Sequence, residues 1–196
     1  MRHNWQALDT EGRFLQQSTP LAGLVAVQRL PRQDSRGSLE RLFCDDIFRL
    51  CGISKPIKQI NRTLTRHCGT LRGLHFQHPP HSETKVVQCL RGAVFDVALD
   101  LRRDSPTFLH WHGELLSADN GVALVIPEGF AHGLQTLADD TELLYLHTAA
   151  YCQQAEGGIS ALDPTLAIRW PMPIAELSER DRNHPPLPLD FAGIAL

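Results

Sequence analysis

The chain contains no apolar run of about 18 residues or more, so no membrane-crossing helix is expected. It also lacks a Cys-x-x-Cys pair. Its five cysteines, Cys44, Cys51, Cys68, Cys89 and Cys152, are odd in number. Both facts argue against a disulfide framework and a cysteine-built zinc site, and the thiols are read as small buried apolar groups. Neither sign of charge dominates: the net charge is −3 and the pI is near 6.3. Bulk electrostatics therefore give no support for nucleic-acid or anionic-membrane partners. The first residues, Met1 to Trp5, are polar and hold no apolar signal core, so a cytoplasmic protein is expected. There is no internal repeat and no low-complexity linker. One domain is expected over residues 1–196, with 1–20 an N-terminal extension, 21–183 the core with its flanking elements, and 184–196 an irregular tail.

What is present is mostly β signal. Val25 to Val27 sit in a first candidate strand, and Ser38 to Phe43 alternate as a second. Asp46 to Gly52 read as a short helix with Ile47, Leu50 and Cys51 on one side. Further strands are expected at 57–63, 70–76, 84–90, 93–101, 108–116, 121–126, 133–137 and 142–147. Turn signals such as Arg91-Gly92, Asp119-Asn120-Gly121 and Pro127-Glu128-Gly129 separate them. Many short strands at close spacing indicate a sandwich or barrel rather than βαβ units. Alternation along Val94–Asp100 puts Asp96 and Asp100 on one face and Phe95, Val97 and Leu99 on the other, as in a wall lining a polar cavity. A brief helix is expected within Glu176–Arg182.

The chemistry gathers around Thr70-Leu71-Arg72-Gly73-Leu74-His75-Phe76-Gln77. Arg72 is a fixed cation and His75 can gain or lose a proton near neutral pH, a pairing that suits a site holding an anion and moving a proton. Gly73 between them allows something to approach the backbone closely. His78 and His81 follow in a Pro-Pro loop. With a carboxylate and His132 they offer a metal-dependent cupin reading, although no His-x-His pair stands in the expected place. Lys85 on the next strand is either a solvated edge residue or an ammonium aimed at a developing oxyanion. Tyrosine is scarce, with only Tyr145 and Tyr151. Tyr145 is either a packed phenol or a proton donor.

The motif Leu71 to Gln77, then Lys85, Gly92–Ala98, Ser105-Pro106-Thr107, Pro127–Gly133, Leu144-Tyr145, Tyr151, Asp163-Pro164 and Trp170-Pro171 occur in order. In this the chain resembles the dTDP-4-dehydrorhamnose 3,5-epimerase family over roughly residues 24–187. The resemblance implies an all-β, cupin-like jelly-roll barrel with short peripheral helices, a homodimer, and catalysis without a metal or other cofactor. It implies a substrate that is a nucleotide-linked 4-keto-6-deoxyhexose, epimerised at C3, C5 or both by proton removal and return. By resemblance His75 is the base, paired with Asp181 of Leu177-Ser178-Glu179-Arg180-Asp181; Lys85 faces the C4 oxygen and Tyr145 is the acid. Asp96 and His132 match polar residues of the cavity. Arg36 and Arg72 match diphosphate ligands, one of them from the partner subunit. Gln59, Asn61, Tyr151, Glu156 and Arg180 match the nucleotide end. The departures fall at that end: Arg41 stands where a glutamate is common, and Leu146 to Ala150 lacks the usual lysine and first tyrosine. Two other readings compete, the metal-dependent cupin (oxygenase or sugar isomerase) and a non-catalytic sugar-nucleotide binding module.

Overall fold

The computed structural model describes residues 5–196, so most of Met1–Trp5 lies outside the described residues. Fifteen strands run as β1 (Gln6–Ala7), β2 (Phe14–Ser18), β3 (Val25–Arg29), β4 (Arg32–Asp34), β5 (Gly37–Leu39), β6 (Gln59–Thr65), β7 (Thr70–Gln77), β8 (Lys85–Arg91), β9 (Ala93–Asp100), β10 (Trp111–Ser117), β11 (Val122–Ile126), β12 (Phe130–Thr136), β13 (Thr141–His147), β14 (Glu156–Gly158) and β15 (Glu176–Leu177). The helices are short: α1 (Asp45–Leu50), α2 (Glu179–Arg182) and one 3-10 turn at Gln153–Ala155. The protein is all-β. A seven-stranded sheet, β1-β2-β3-β11-β8-β13-β6, is laid over a second sheet, β10-β9-β12-β7-β14, with β15 also on β7. The two sheets do not close into one hydrogen-bonded cylinder, so the barrel is a flattened one.

Period-2 alternation gives each sheet an inner and an outer face. Along β8, Val87 and Cys89 reach the space between the sheets; along β13, Leu143 does, and from the other sheet come Val94, Ala98, Phe130 and Leu134. The outer face of the smaller sheet (Leu74, Val97, Leu99) is covered by the chain after β14, through Ile159, Ala161, Leu166 and Ile194. The outer face of the larger sheet is covered by α1 and Phe14, with Val27, Val86, Ala123 and Val125 beneath. Sheets buried on both faces explain why several strands here read as nearly continuous apolar runs.

Five expectations change. The expected N-terminal extension supplies β1 and β2, and Phe14 is fully buried against Phe48. In α1 the buried side is Ile47, Phe48 and Cys51, while Leu50 is exposed, because Phe48 seals the sheet. The expected strand at 38–43 shortens to β5, and the one beginning at Phe108 starts at Trp111, after a turn in which Leu109 has a φ of 60°. Residues 184–196 form no helix or named strand, yet they pack: Ile194 exchanges backbone hydrogen bonds with the Leu101–Arg103 stretch, and Phe191 stacks on Phe108.

The irregular place is β7. Against β12, His132 faces His75 but Leu134 faces Arg72, so three steps of β7 match two of β12. This is a β-bulge, and a bulge re-aims side chains. Gly73 sits in it at φ 106°, where a Cβ would fall 2.6 Å from both the Gly133 Cα and the His132 carbonyl. Only glycine fits so close to the neighbouring strand.

Candidate active site

The bulge decides which side chains meet. Residues three apart on a regular strand point to opposite faces. Here Arg72 and His75 both line one cavity of about 730 Å³ at one end of the space between the sheets. β14 and β15 pair with different ends of the same edge of β7, and at Gly73 neither supplies a partner. The Gly73 N–H instead donates to Asp181 Oδ2 at 3.2 Å. Asp181 lies in α2, whose N-cap Ser178 accepts the Asp181 N–H at 3.0 Å. Its other oxygen holds His75 Nε2 at 2.6 Å. The expected pairing across 106 positions is thus present. Burial pushes the Asp181 carboxyl up, but the His75 hydrogen bond and charge, with Gly73 and Ser178, bring it below the ordinary carboxylate range. An ionised Asp181 takes the Nε2–H of His75 and leaves the Nδ1 lone pair as the basic nitrogen.

The opposite wall comes from the larger sheet. Lys85 opens β8 and is buried, its Nζ donating to the His75 carbonyl at 3.3 Å and pairing with Glu83 at 3.2 Å. An ammonium has three N–H donors. With two engaged, one remains for a ligand. Glu83 also accepts from His147 Nδ1 at 3.1 Å and Gln77 Nε2 at 3.3 Å. Burial raises the Glu83 carboxyl, but His147 and Lys85 outweigh it and hold the group ionised. Neither Glu83 nor His147 was singled out in the sequence. The available signal was spacing: 83 and 85, like 145 and 147, lie two apart and share a face.

Tyr145 lies in β13, its ring 6.0 Å from that of His132 on the facing sheet. Burial, then the charge of Asp96, raise its pKa, so it is a neutral phenol. His132 makes a second histidine–carboxylate pair, Nε2 to Asp96 Oδ2 at 2.8 Å, with both residues buried. Asp96 supports this wall from behind His132 and is not itself in the lining. Asp100, on the same face of β9, is turned to Arg102, Ser105 and Thr107 and ties down a turn.

Toward the mouth, Asn61, Tyr151, Glu156 and Arg180 line the cavity. The Tyr151 hydroxyl donates to Glu156 at 2.9 Å, and Arg180 pairs with the same carboxylate. The Arg72 Nε donates to Thr65 at 3.1 Å. Gln59 is one step removed, bonding Asn61 and the Tyr151 N–H. Arg36 is not brought in: it stands on the β4–β5 turn, fully exposed and paired with Asp34. His78 and His81 are exposed on their loop and do not join His132, so the metal-cupin arrangement is not assembled there.

The model of the dTDP-4-dehydrorhamnose 3,5-epimerase family matches residues 18–188. The chain belongs to that family. It is 40% identical over 172 residues to a dTDP-4-dehydrorhamnose 3,5-epimerase of Sinorhizobium fredii, covering 87% of this chain and 88% of that one. The structure of the Bacillus anthracis dTDP-4-dehydrorhamnose 3,5-epimerase with TDP and PPi bound superposes with a TM-score of 0.84 at 37% identity, covering 89% of this chain and 99% of that one. The Legionella pneumophila dTDP-6-deoxy-D-glucose-3,5-epimerase in complex with dTDP-4-keto-L-rhamnose gives 0.83 at 35%, covering 88% and 92%. Family members of this kind are epimerases with the cupin-like all-β fold, and among the described residues no helix is long and apolar enough to cross a membrane.

Proposed function

We propose that the protein is an epimerase acting as one domain on a dTDP-linked 4-keto-6-deoxyhexose, inverting C3, C5 or both. One observation carries the reading: His75 with Asp181 on one wall, and Lys85 with Tyr145 on the other, converge on a single cavity in a chain of this family.

The C4 ketone of such a sugar acidifies the hydrogens on its neighbouring carbons. His75 Nδ1 removes one, and the electron pair moves onto the C4 oxygen to give an enolate. The free N–H of Lys85 meets that oxygen as it gains charge. Tyr145, a neutral phenol, gives its proton to the carbon from the opposite face, and the configuration inverts. Buried dipoles fixed in advance serve this step better than water, which would have to reorient. Arg72 suits the diphosphate through its planar fork, and Tyr151 at the mouth presents a face to the base. Asn61, Gln59, Glu156 and Arg180 orient that end.

Arg36 is proposed to serve the cavity of a second subunit. Two facts support a homodimer: Arg36 is exposed and outside the lining of its own cavity, and the outer edge of β6 is unpaired among the described residues, with Ile60 and Leu64 exposed on it.

The test is proton exchange with dTDP-4-keto-6-deoxyglucose in D2O, read by NMR. Deuterium at both C3 and C5 marks a double epimerase, and at C3 alone a mono-epimerase. His75→Ala is expected to lose exchange by about 10²–10⁴-fold. Exchange at wild-type rate in that variant overturns the role of His75, and no exchange in the wild type overturns the substrate.

A further inference from the structure

Asp181 has a second histidine. His184 follows α2, its ring 5.4 Å from that of His75 at 71°. Its Nε2 stands 3.7 Å from Asp181 Oδ1, the same oxygen that holds His75 Nε2. That is too long for a hydrogen bond. The nitrogen is nonetheless buried and has no hydrogen-bond partner among the described residues. A buried polar atom left unpaired costs free energy and calls for a reason. The neighbourhood is shaped around this ring: a Cβ on Gly158 would fall 2.2 Å from it. One ligand atom from each of His75, Asp181 and His184 lies within 4.8 Å of the other two.

Two imidazoles and one carboxylate around a common point are the donor set of three-ligand zinc sites that keep a fourth position open. We propose that His75, Asp181 and His184 bind a divalent transition metal, with Zn²⁺ the best-matched ion, and that the bound metal turns off the base. Tetrahedral metal–ligand bonds of about 2.0–2.2 Å set the ligand atoms about 3.3–3.6 Å apart, so the 2.6 Å His75–Asp181 contact would open by about 0.7–1.0 Å while the 3.7 Å His184–Asp181 separation would barely change. Arg180, a cation of the same segment, is already paired with Glu156. The consequence for His75 is a change of tautomer. The metal takes the Nε2 lone pair, and the ring's single proton moves to Nδ1. A ring protonated at Nδ1 has no lone pair there with which to take a proton from carbon. The site rests on geometry alone, whereas the inhibition rests on His75 acting as the base.

The experiment is a titration of the purified full chain with Co²⁺, read by its visible absorption, with Zn²⁺ added in competition. One ion per chain is expected. His184→Ala weakens it by about 10–100-fold, the range for loss of an ordering partner and a floor for loss of a ligand. His184→Gln fills the same space and controls for folding, together with circular dichroism of each variant. The exposed His78 and His81 could hold a metal of their own, and equal binding in wild type and His184→Ala overturns the proposed site. So does no binding at about 1 mM metal, far above the affinity of ordinary three-ligand sites. In the D2O assay, Zn²⁺ is expected to suppress exchange in the wild type, a chelator to restore it, and His184→Ala to resist suppression. Full exchange with the metal bound overturns the switch. His184-dependent binding without exchange of any ketosugar upholds the site and removes the reading of His75.

Discussion

At the residue scale, the base and the acid of the proposed mechanism carry separable tasks. A proton taken by His75 can return to the same carbon face or be replaced from Tyr145 on the other. Tyr145→Phe is therefore expected to slow inversion by about 10²–10⁴-fold while deuterium still enters the substrate through His75. The measurement is the ratio of exchange to inversion by NMR; an equal fall in both would mean that Tyr145 is not the second proton donor. Glu83 offers another check. Its carboxylate holds the Lys85 ammonium beside the His75 carbonyl. Glu83→Ala is expected to lower kcat by about 10²-fold with KM little changed, as when a transition-state donor is misplaced. Glu83→Gln keeps an acceptor but removes the charge, so kcat recovers in part.

At the element scale, β7 is the part that alternation misreads. Arg72 and His75 are legible as chemistry in the sequence, but their spacing of three assigns them to opposite faces of a regular strand. Gly73 makes them neighbours by allowing the bulge; the close approach expected of this glycine is present, but the bulge and Gly133 as the partner have no counterpart in composition or pattern. Gly73→Ala is expected to cost about 1–3 kcal/mol from the backbone conformation alone. The contact with β12 adds to this and turns His75 away from Asp181. Urea unfolding and the D2O assay would both register it; wild-type values in both would mean that the bulge tolerates a side chain. The carboxylate of α2 was legible through resemblance only, since nothing local to Ser178–Arg182 points back to β7. His184 was not legible at all, because it sits in a proline-rich segment that carries no period.

At the scale of the whole molecule, the succession of short strands separated by turns was enough to give an all-β fold. The roles of the chain ends were not, because Phe14 and Ile194 reveal their burial only through distant partners. Buried carboxylates tie down turns, and one of them also holds the C-terminal segment. Asp100 is buried on Arg102, Ser105 and Thr107, and Asp163 on Thr165 and the Leu187 N–H. In each, burial raises the group but the hydrogen bonds win, so the folded value lies below the ordinary one. Groups lowered in this way give stability that is complete above about pH 4, the unfolded carboxylate range, and that is lost as pH falls through the folded values. The melting temperature should stay level from neutral pH to about 5 and fall below about 4. In Asp100→Asn it should start lower, by about 1.5–3 kcal/mol of stability, and fall less steeply. Parallel curves would show that Asp100 does not contribute to the acid limb.

The late arrival of Asp181 has a consequence in time. A chain is made from its N-terminus, so β7 with His75 emerges 106 residues before the carboxylate that selects its tautomer. Lys85, Tyr145 and Tyr151 also precede it. In the proposed mechanism these groups are in place along the chain before His75 has its carboxylate partner. The working tautomer of His75 is therefore fixed only when α2 has been made, and the proton transfer proposed for it waits on the last part of the chain.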